Sequence, residues 1–338
     1  MYHVAIDLGG RESQVCIRQP DASIAFEQKM PTGLLGEWLA SLPPSRVVME
    51  TCAEAFRLAD QALACGHQAR VVPSILVRQL GVGARRTKTD RRDAQILSEV
   101  SCRVDVPSVH IRSEASREMK SKCAARAEMV EARTKLINNV CGYLRTHHVR
   151  LRHGEVSTFS KRVRTALEIS DGSTPGFIDR LLGLIDAISE QVDVATEELT
   201  ELVNKDERCQ LMMTCPGVGV ITAARFVSVI DDVSRFPSAH AVESYLGLVP
   251  GENSSSTRVR RLGITKAGPS DMRKLLVQAC WAAWTHYPSE PLVRWAARVA
   301  ERRGRRVAIV AMARKMAGML FAMWRDNAPY DASRCCRV

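Results

Sequence analysis

The chain has 338 residues, 46% hydrophobic and 25% charged, with a formal net charge of +11 at pH 7. That length is too great for one compact core and fits two or three domains, and the composition excludes a disordered or fibrous chain. The charge is lopsided: residues 1–80 hold seven Lys/Arg against eight Asp/Glu, a net of −1, so residues 81–338 carry +12, which points to an anionic polymer such as nucleic acid as partner.

Three short, β-branched or alternating runs open the chain: YHVAIDL, SQVCIRQ and SIAFEQKM. Polar turns separate them, and they predict strands. LLGEWLASL predicts a helix, RVVMET a buried strand, AEAFRLADQALACG a helix ending at Gly66, and QARVVPS a fifth strand. A strand meander followed by helix–strand alternation predicts an α/β sheet covered by helices. A basic loop over 83–89 then leads to a helix starting near Asp90.

Residues 114–148 predict a long, strongly charged helix; Arg117, Lys120, Lys122, Arg126 and Arg133 on it either run along nucleic acid or are simply solvated. DGSTPG breaks the chain, and Ile178, Leu181, Ile185, Ile188, Val192, Leu199 and Leu202 follow helical spacing over 177–203. That length suggests a coiled-coil arm or helical hairpin, usable for dimerisation. The remainder predicts a mostly helical domain. It contains a Pro-Gly-x-Gly turn (CPGVGVITA), a short helix, a polar loop (PGENSSSTRVRRLGITKAG), a helix from about 270 and a last one over roughly 306–325. The domains expected are 1–110, 111–207 and 208–338.

Eleven cysteines contain no C-x-x-C pair and no zinc-ligand spacing, so a reducing compartment is expected. No leader and no uninterrupted 18-residue apolar run is found, so a soluble cytoplasmic protein without membrane contact is expected. His147 and His148 are adjacent and point apart on a helix, which argues against a metal pair.

RRTKTDRRDA, residues 85–94, sets Asp90 and Asp93 among five arginines and lysines. As structure alone, the two acids suit the N-cap and first turn of a helix. Asp7 closes the strand VAID and Glu50 closes VVME. In an α/β sheet such strand ends converge, and residues i and i+3 share a helix face, so Asp7, Glu50, Asp90 and Asp93 can meet. Four carboxylates need cations to share a site. Hard oxygen ligands suit Mg²⁺ or Mn²⁺, which bind substrate phosphates as well, and a two-metal site supports phosphoryl displacement.

The order Asp, Glu, Asp-x-x-Asp, with the first acid on the first strand, resembles the RuvC/RNase H-like nucleases. More narrowly, VAIDLG, VVMET and TKTDRRDAQIL resemble the DEDD transposases of the IS110 and related IS1111 insertion sequences and the Piv-type invertases. GLVPGENSSSTRVRRLGITKAG, followed by MRKLLVQACWAAW, resembles the C-terminal domain of the same family. Residues 1–110 and 208–333 carry these motifs. The resemblance implies a RuvC-like N-terminal domain, a helical middle and a mostly α C-terminal domain. It implies a transposase or recombinase that cleaves and rejoins double-stranded donor and target DNA. In that family a serine of the loop attacks a DNA phosphate, leaving a phosphoserine link while the carboxylate-bound metals assist.

The match places this role on Ser255, with Ser254 or Ser256 one register slip away; Ser256 stands where the family usually has Gly, and Asn253 where Tyr is common. The resemblance also implies a structured noncoding bridge RNA that specifies both DNA sites, a division of labour known from other RNA-guided systems. A homodimer or homotetramer is expected, because strand exchange needs several active sites. Arg85, Arg86, Lys88, Arg258, Arg260, Arg261 and Lys266 are the expected phosphate grips. Gly217 and Gly219 suit either a plain interhelical turn or a helix–hairpin–helix approach to a phosphate.

Other readings make different demands. A RuvC-like junction-resolving endonuclease would use the same acids with water as nucleophile. IDLGG also resembles the first phosphate loop of sugar kinases, but no second Gly-rich nucleotide loop follows. A nonenzymatic nucleic-acid binder would not need the acids. The five tyrosines lack the Arg/His constellation of a tyrosine recombinase.

Overall fold

The computed structural model describes residues 1–79, 90–255 and 258–333, with residues 78, 79, 171, 253–255 and 258–261 described by their backbone alone. The chain divides into two units, Met1–Arg112 and Ser113–Val338.

In the first unit the β-branched runs form β1 (His3–Asp7), β2 (Glu12–Arg18) and β3 (Ile24–Pro31). Then come α1 (Leu35–Ala40), β4 (Arg46–Glu50), α2 (Ala55–Ala64), β5 (Gln68–Val72), α3 (Ser74–Gln79) and α4 (Asp90–Arg103). The five strands make one sheet in the order β3-β2-β1-β4-β5. β1, β2 and β3 pair antiparallel, whereas β4 joins β1, and β5 joins β4, in parallel. This is the predicted meander followed by helix–strand alternation, and the first unit is a mixed α/β domain.

Strand side chains alternate between faces, and the core divides accordingly. Val4, Ile6, Val15, Ile17, Val47, Met49 and Val71 face α1 and α2. Ala5, Val48 and Val72 lie on the opposite face, with Leu97 of α4. On the first face His67 is buried, accepting from Ser45 N at Nδ1 (3.0 Å) and so donating from Nε2 to Leu39 O (2.9 Å). The two bonds fix its tautomer.

The second unit is helical apart from one hairpin. It opens with α5 (Glu114–Thr146), whose N-cap Ser113 accepts from Ser116 N, and continues with α6 (Phe159–Asp171) and α7 (Gly176–Lys205). Next are α8 (Glu207–Met213), α9 (Val220–Ile230), α10 (Ala239–Tyr245), β6 (Pro250–Ser255) and β7 (Arg258–Ile264). It ends with α11 (Ser270–His286), α12 (Pro291–Arg303) and α13 (Arg305–Asp326).

α5 and α7 pack along one another. Ile178, Leu182 and Ile185 of α7 are buried with Val140 and Leu144 of α5 and with Phe159, Val163 and Leu167 of α6. Ile178 and Ile185 of the expected apolar stripe are therefore covered within their own chain, in a helical hairpin, while Leu181, Ile188 and Leu202 stay half-buried. Part of the basic set on α5 is used there too: Lys122 pairs with Glu198 at 3.3 Å, and Arg126 Nε donates to Thr196 Oγ1 at 2.6 Å.

α9 is the central helix, buried from Thr222 to Ile230. It packs against α5, α7, α8 and α11. Its Arg225, 6% exposed, pairs with Asp271 in the first turn of α11. α13 is the one helix among the described residues long and apolar enough to cross a membrane by composition. Here it serves the core, with Ile309, Met312, Met316, Leu320 and Phe321 buried.

Candidate active site

β1 and β4 are parallel neighbours with Ile6 opposite Met49. The next residues, Asp7 and Glu50, therefore close the two strands at one level. By alternation they lie on the face of Ala5 and Val48, which α4 covers. The turns that follow are held firmly. Beyond Asp7, Ser13 Oγ accepts from Gly9 N (3.2 Å), Thr32 Oγ1 donates to Gly9 O (2.6 Å), and the two hydroxyls meet at 2.8 Å. A Cβ on Gly9 would collide with the Glu12 carbonyl oxygen, so the turn requires glycine. Beyond Glu50, both the backbone N and the Oγ1 of Thr51 donate to Val72 O at 2.9 Å.

α4 runs back across β1 and β2. His3 at the start of β1 bonds Ser101 near the end of α4 (2.9 Å), and Arg18 reaches Ser98 Oγ (3.0 Å). From Ser101 back to Asp93 is about 12 Å of helix, and from His3 to Asp7 about 13 Å of strand, so the first turn of α4 arrives level with Asp7. Asp93 is buried at 7% exposure on the stripe with Ala94, Leu97, Ser98 and Ser101, whereas Asp90 is exposed. Asp7 and Glu50 are half-buried.

Two residues that sequence reading passed over share this row. Asp7 is opposite Gln14 on β2, and Gln14 is opposite Lys29 on β3. Lys29 Nζ bonds Glu12 at 2.7 Å. That bond and charge, with a smaller contribution from Asp90, raise the lysine above its usual range. Arg91, between the two aspartates, is held by Glu27 at 2.6 Å, which likewise raises it. Gln14 and Lys29 carry no sequence motif; only antiparallel register brings them to the carboxylates.

Carboxylates as a donor type suit a hard divalent cation. Among the described residues, no three His, Cys, Asp or Glu side chains gather into a group that could hold a metal ion. Asp7 and Glu50 thus share an end and a face of the sheet, with Asp90 and Asp93 in the first turn of the helix that crosses it. Arg85, Arg86 and Lys88 lie outside the described residues.

In the second unit, the polar loop expected at 250–268 is instead a β-hairpin. β6 and β7 pair antiparallel, with Asn253 opposite Arg260, Ser254 opposite Val259 and Ser255 opposite Arg258. Ser255 is the last residue of β6, and Ser256 lies outside the described residues. At the base, Thr265 N donates to Val249 O (2.9 Å) and Lys266 N to Gly247 O (3.1 Å); the Lys266 side chain is exposed. Gly247 and Gly268 have φ of +68° and +74°. A Cβ on Gly247 would overlap Ala267 O, and one on Gly268 would overlap Tyr245 O. Arg273 on α11 donates from Nη1 to Ala267 O (2.7 Å), Gly268 O (3.1 Å) and Leu246 O (3.1 Å). Arg258, Arg260 and Arg261 take their places along β7.

The Pro-Gly-x-Gly turn joins α8 to α9. Gly217 sits there at φ +86°, and a Cβ on it would run into the α11 backbone at Ala279. The turn thus serves close helix packing at Gly217, while Gly219 is exposed at the start of α9.

Two family models match the chain. Residues 4–149 match the DEDD transposase model of the IS110 type, and residues 209–294 match the model described as the transposase IS116/IS110/IS902 family. Among curated relatives, the transposase for insertion sequence element IS1328 of Yersinia enterocolitica is 27% identical over 93% of this chain and 94% of its own length. A Sinorhizobium fredii protein named as a transposase is 30% identical over 77% of this chain and 70% of its own. The pilin gene-inverting protein of Moraxella lacunata is 26% identical over 81% of this chain and 78% of its own.

Proposed function

Because the chain belongs to the IS116/IS110/IS902 family of DEDD transposases, an enzyme family acting on DNA, we propose that it cleaves and rejoins DNA through a phosphoserine link formed by Ser255. Divalent-metal dependence comes with the DEDD domain in general; Mg²⁺ or Mn²⁺ is our choice of ion. The observation that carries the reading is the sheet end: Asp7 and Glu50 close adjacent parallel strands under the helix whose first turn bears Asp90 and Asp93. A domain of RuvC/RNase H-like kind, 1–110, fits that arrangement.

Asp7, Glu50, Asp90 and Asp93 would hold the metal, which supplies charge stabilisation at the phosphate. The chain's own residues do the rest. The Ser255 hydroxyl attacks phosphorus and loses its proton to solvent, the serine oxygen–phosphorus bond forms, and the bond to the departing deoxyribose oxygen breaks as that oxygen takes up a proton from solvent. That oxygen leaves as a strand hydroxyl and later reverses the step on another end. A serine hydroxyl is a weak nucleophile until deprotonated, so it needs a base or a metal ion beside it. Arg258, Arg260, Arg261 and Lys266 flank the serine in the hairpin and its base, and with Arg85, Arg86 and Lys88 they grip phosphates. Gly219 opens the α9 N-terminus to a backbone phosphate, and Gly217 holds that turn against α11. A bridge RNA specifies donor and target, a homodimer or homotetramer assembles the sites, and the enzyme works in the cytoplasm. The junction-resolving endonuclease that uses water remains the alternative chemistry.

The test incubates protein, the element's noncoding RNA, Mg²⁺ and labelled donor DNA, then denatures the mixture. DNA migrating with protein, lost in Ser255→Ala and in Asp90→Asn, supports the serine route. Free ends that survive Ser255→Ala and Ser254→Ala but vanish with Asp90→Asn would replace it with the water-using nuclease.

A further inference from the structure

The junction of α12 and α13 reads RWAARVAERRGRR over 294–306, six arginines against one glutamate. Leu292, Val293 and Ala296 bury one face of α12. Arg294, Arg298 and Arg302, spaced by four, are exposed on the other. Arg303, Arg305 and Arg306 are exposed too. Among the described residues, none of the six makes an ion pair with a carboxylate.

Three features of this elbow work against the isolated chain. Like charges at i and i+4 repel along a helix. Arg305 and Arg306 occupy the first turn of α13, where the helix dipole is positive and disfavours cations. No acid stands in that turn and no side chain caps it. The turn itself is fixed: Gly304, at φ +82°, lets α13 start immediately where α12 stops. Arg302 and Arg303 in the last turn of α12 suit its dipole, but their neighbours across Gly304 do not. Aromatic faces adjoin the cluster, with Arg305 over Trp284 at 5.4 Å and Lys315 over Trp295 at 4.8 Å.

We propose that the α12–α13 elbow is a binding surface for the phosphate backbone of duplex DNA, read without regard to sequence. The arginine stripe from 294 to 302 is about 12 Å long. One DNA strand carries a phosphate every ~3.4 Å along its axis, so the stripe meets three or four of them. The two arginines at the start of α13 add to backbone N–H groups that already favour an anion. The matched family segments end at 294, and the serine chemistry makes no use of the elbow. DNA is the partner because the family acts on DNA.

The test measures binding of the full chain to a random-sequence DNA duplex across a salt series, with an RNA hairpin of equal length as second ligand. The variant is Arg298→Gln, Arg302→Gln and Arg306→Gln together. The control is Arg103→Gln, Lys135→Gln and Arg325→Gln, the same charge change at bases that the structure pairs with acids. Loss of three phosphate contacts lowers the salt slope by about 2.7, so between 50 and 200 mM salt the unaltered protein should lose about fortyfold more affinity than the variant. The variant should unfold no earlier than the unaltered protein, because it relieves like-charge repulsion and a cation at a helix N-terminus. An equal loss in the control would assign the effect to bulk charge and overturn the site. Loss confined to the RNA hairpin would overturn the DNA assignment, and unchanged slopes would overturn both. None of these readouts depends on strand cleavage, so failure of the serine route leaves the result intact.

Discussion

Replacing Gly268 by alanine tests the base of the serine-bearing hairpin at a residue remote from any chemistry. Gly268 has φ of +74°, and an added Cβ would overlap the Tyr245 carbonyl oxygen. The left-handed backbone costs an L-residue about 1–2 kcal/mol. The overlap forces the strand away from Tyr245, and the bonds most exposed to that shift are those from Arg273 to Ala267 O and Gly268 O. Hydrogen bonds from a charged donor contribute about 1.5–3 kcal/mol each, so losing one brings the total to about 3–5 kcal/mol. For a unit of this size each kcal/mol moves the midpoint by about 2–4 °C, so Gly268→Ala should unfold roughly 10 °C earlier by scanning calorimetry. DNA–protein adduct, measured at a temperature where the variant is still folded, should fall as well. A midpoint within about 1 °C of the unaltered protein would refute the account of the hairpin base.

Asp271→Asn should destabilise the second unit by about 2–4 kcal/mol, because it leaves the buried Arg225 guanidinium uncompensated; adding Arg225→Met should restore part of the loss in denaturant titrations, and no restoration would refute the ion-pair explanation. Burial raises the Asp206 carboxyl, but the bonds and charge of Arg208 outweigh it and hold the group below its usual range. A depressed carboxyl contributes stability that is complete above the unfolded value near pH 4 and is lost as pH falls through the folded one, so Asp206→Asn should narrow the stability gap between pH 6 and pH 3; equal slopes in acid would contradict it. Burial raises the Cys123 thiol to about 11 and the Cys209 thiol to about 12, so both should resist a thiol reagent at pH 8 until the protein unfolds, and rapid labelling of either in native protein would contradict their burial.

The first unit was legible because its signals are local. VAIDL, QVCIR and VVME are β-branched runs with turns between them, and a carboxylate closing such a run announces a strand end. The hairpin at 250–264 was not legible. ENSSS and TRVRR show no apolar alternation, since their partner is the other strand rather than a core. The run of serines was visible in the sequence while its strand pairing was not. α7 shows the reverse case. Its periodic leucines and isoleucines correctly announced a helix, yet periodicity cannot say whether the covering surface belongs to the same chain; Val140, Leu144 and α6 cover it. Gln14 and Lys29 reach the carboxylate row through pairing across β2 and β3, and α12 escaped because its apolar face is only Leu292, Val293 and Ala296 amid arginines.

A two-stranded ribbon tied at its root is a lever. From Pro250 to Ser255 is about 17 Å, so a tilt of about 10° at the glycines would sweep the tip through ~3 Å, the span of one hydrogen bond. Accuracy at the end of the ribbon is therefore set at Gly247, Gly268 and Arg273, by three carbonyl oxygens and two missing methyl groups. Changes there would alter how often the tip arrives on line with a phosphate while leaving every DNA-facing side chain in place. Variants altered in rate but normal in DNA affinity should accumulate at the fulcrum.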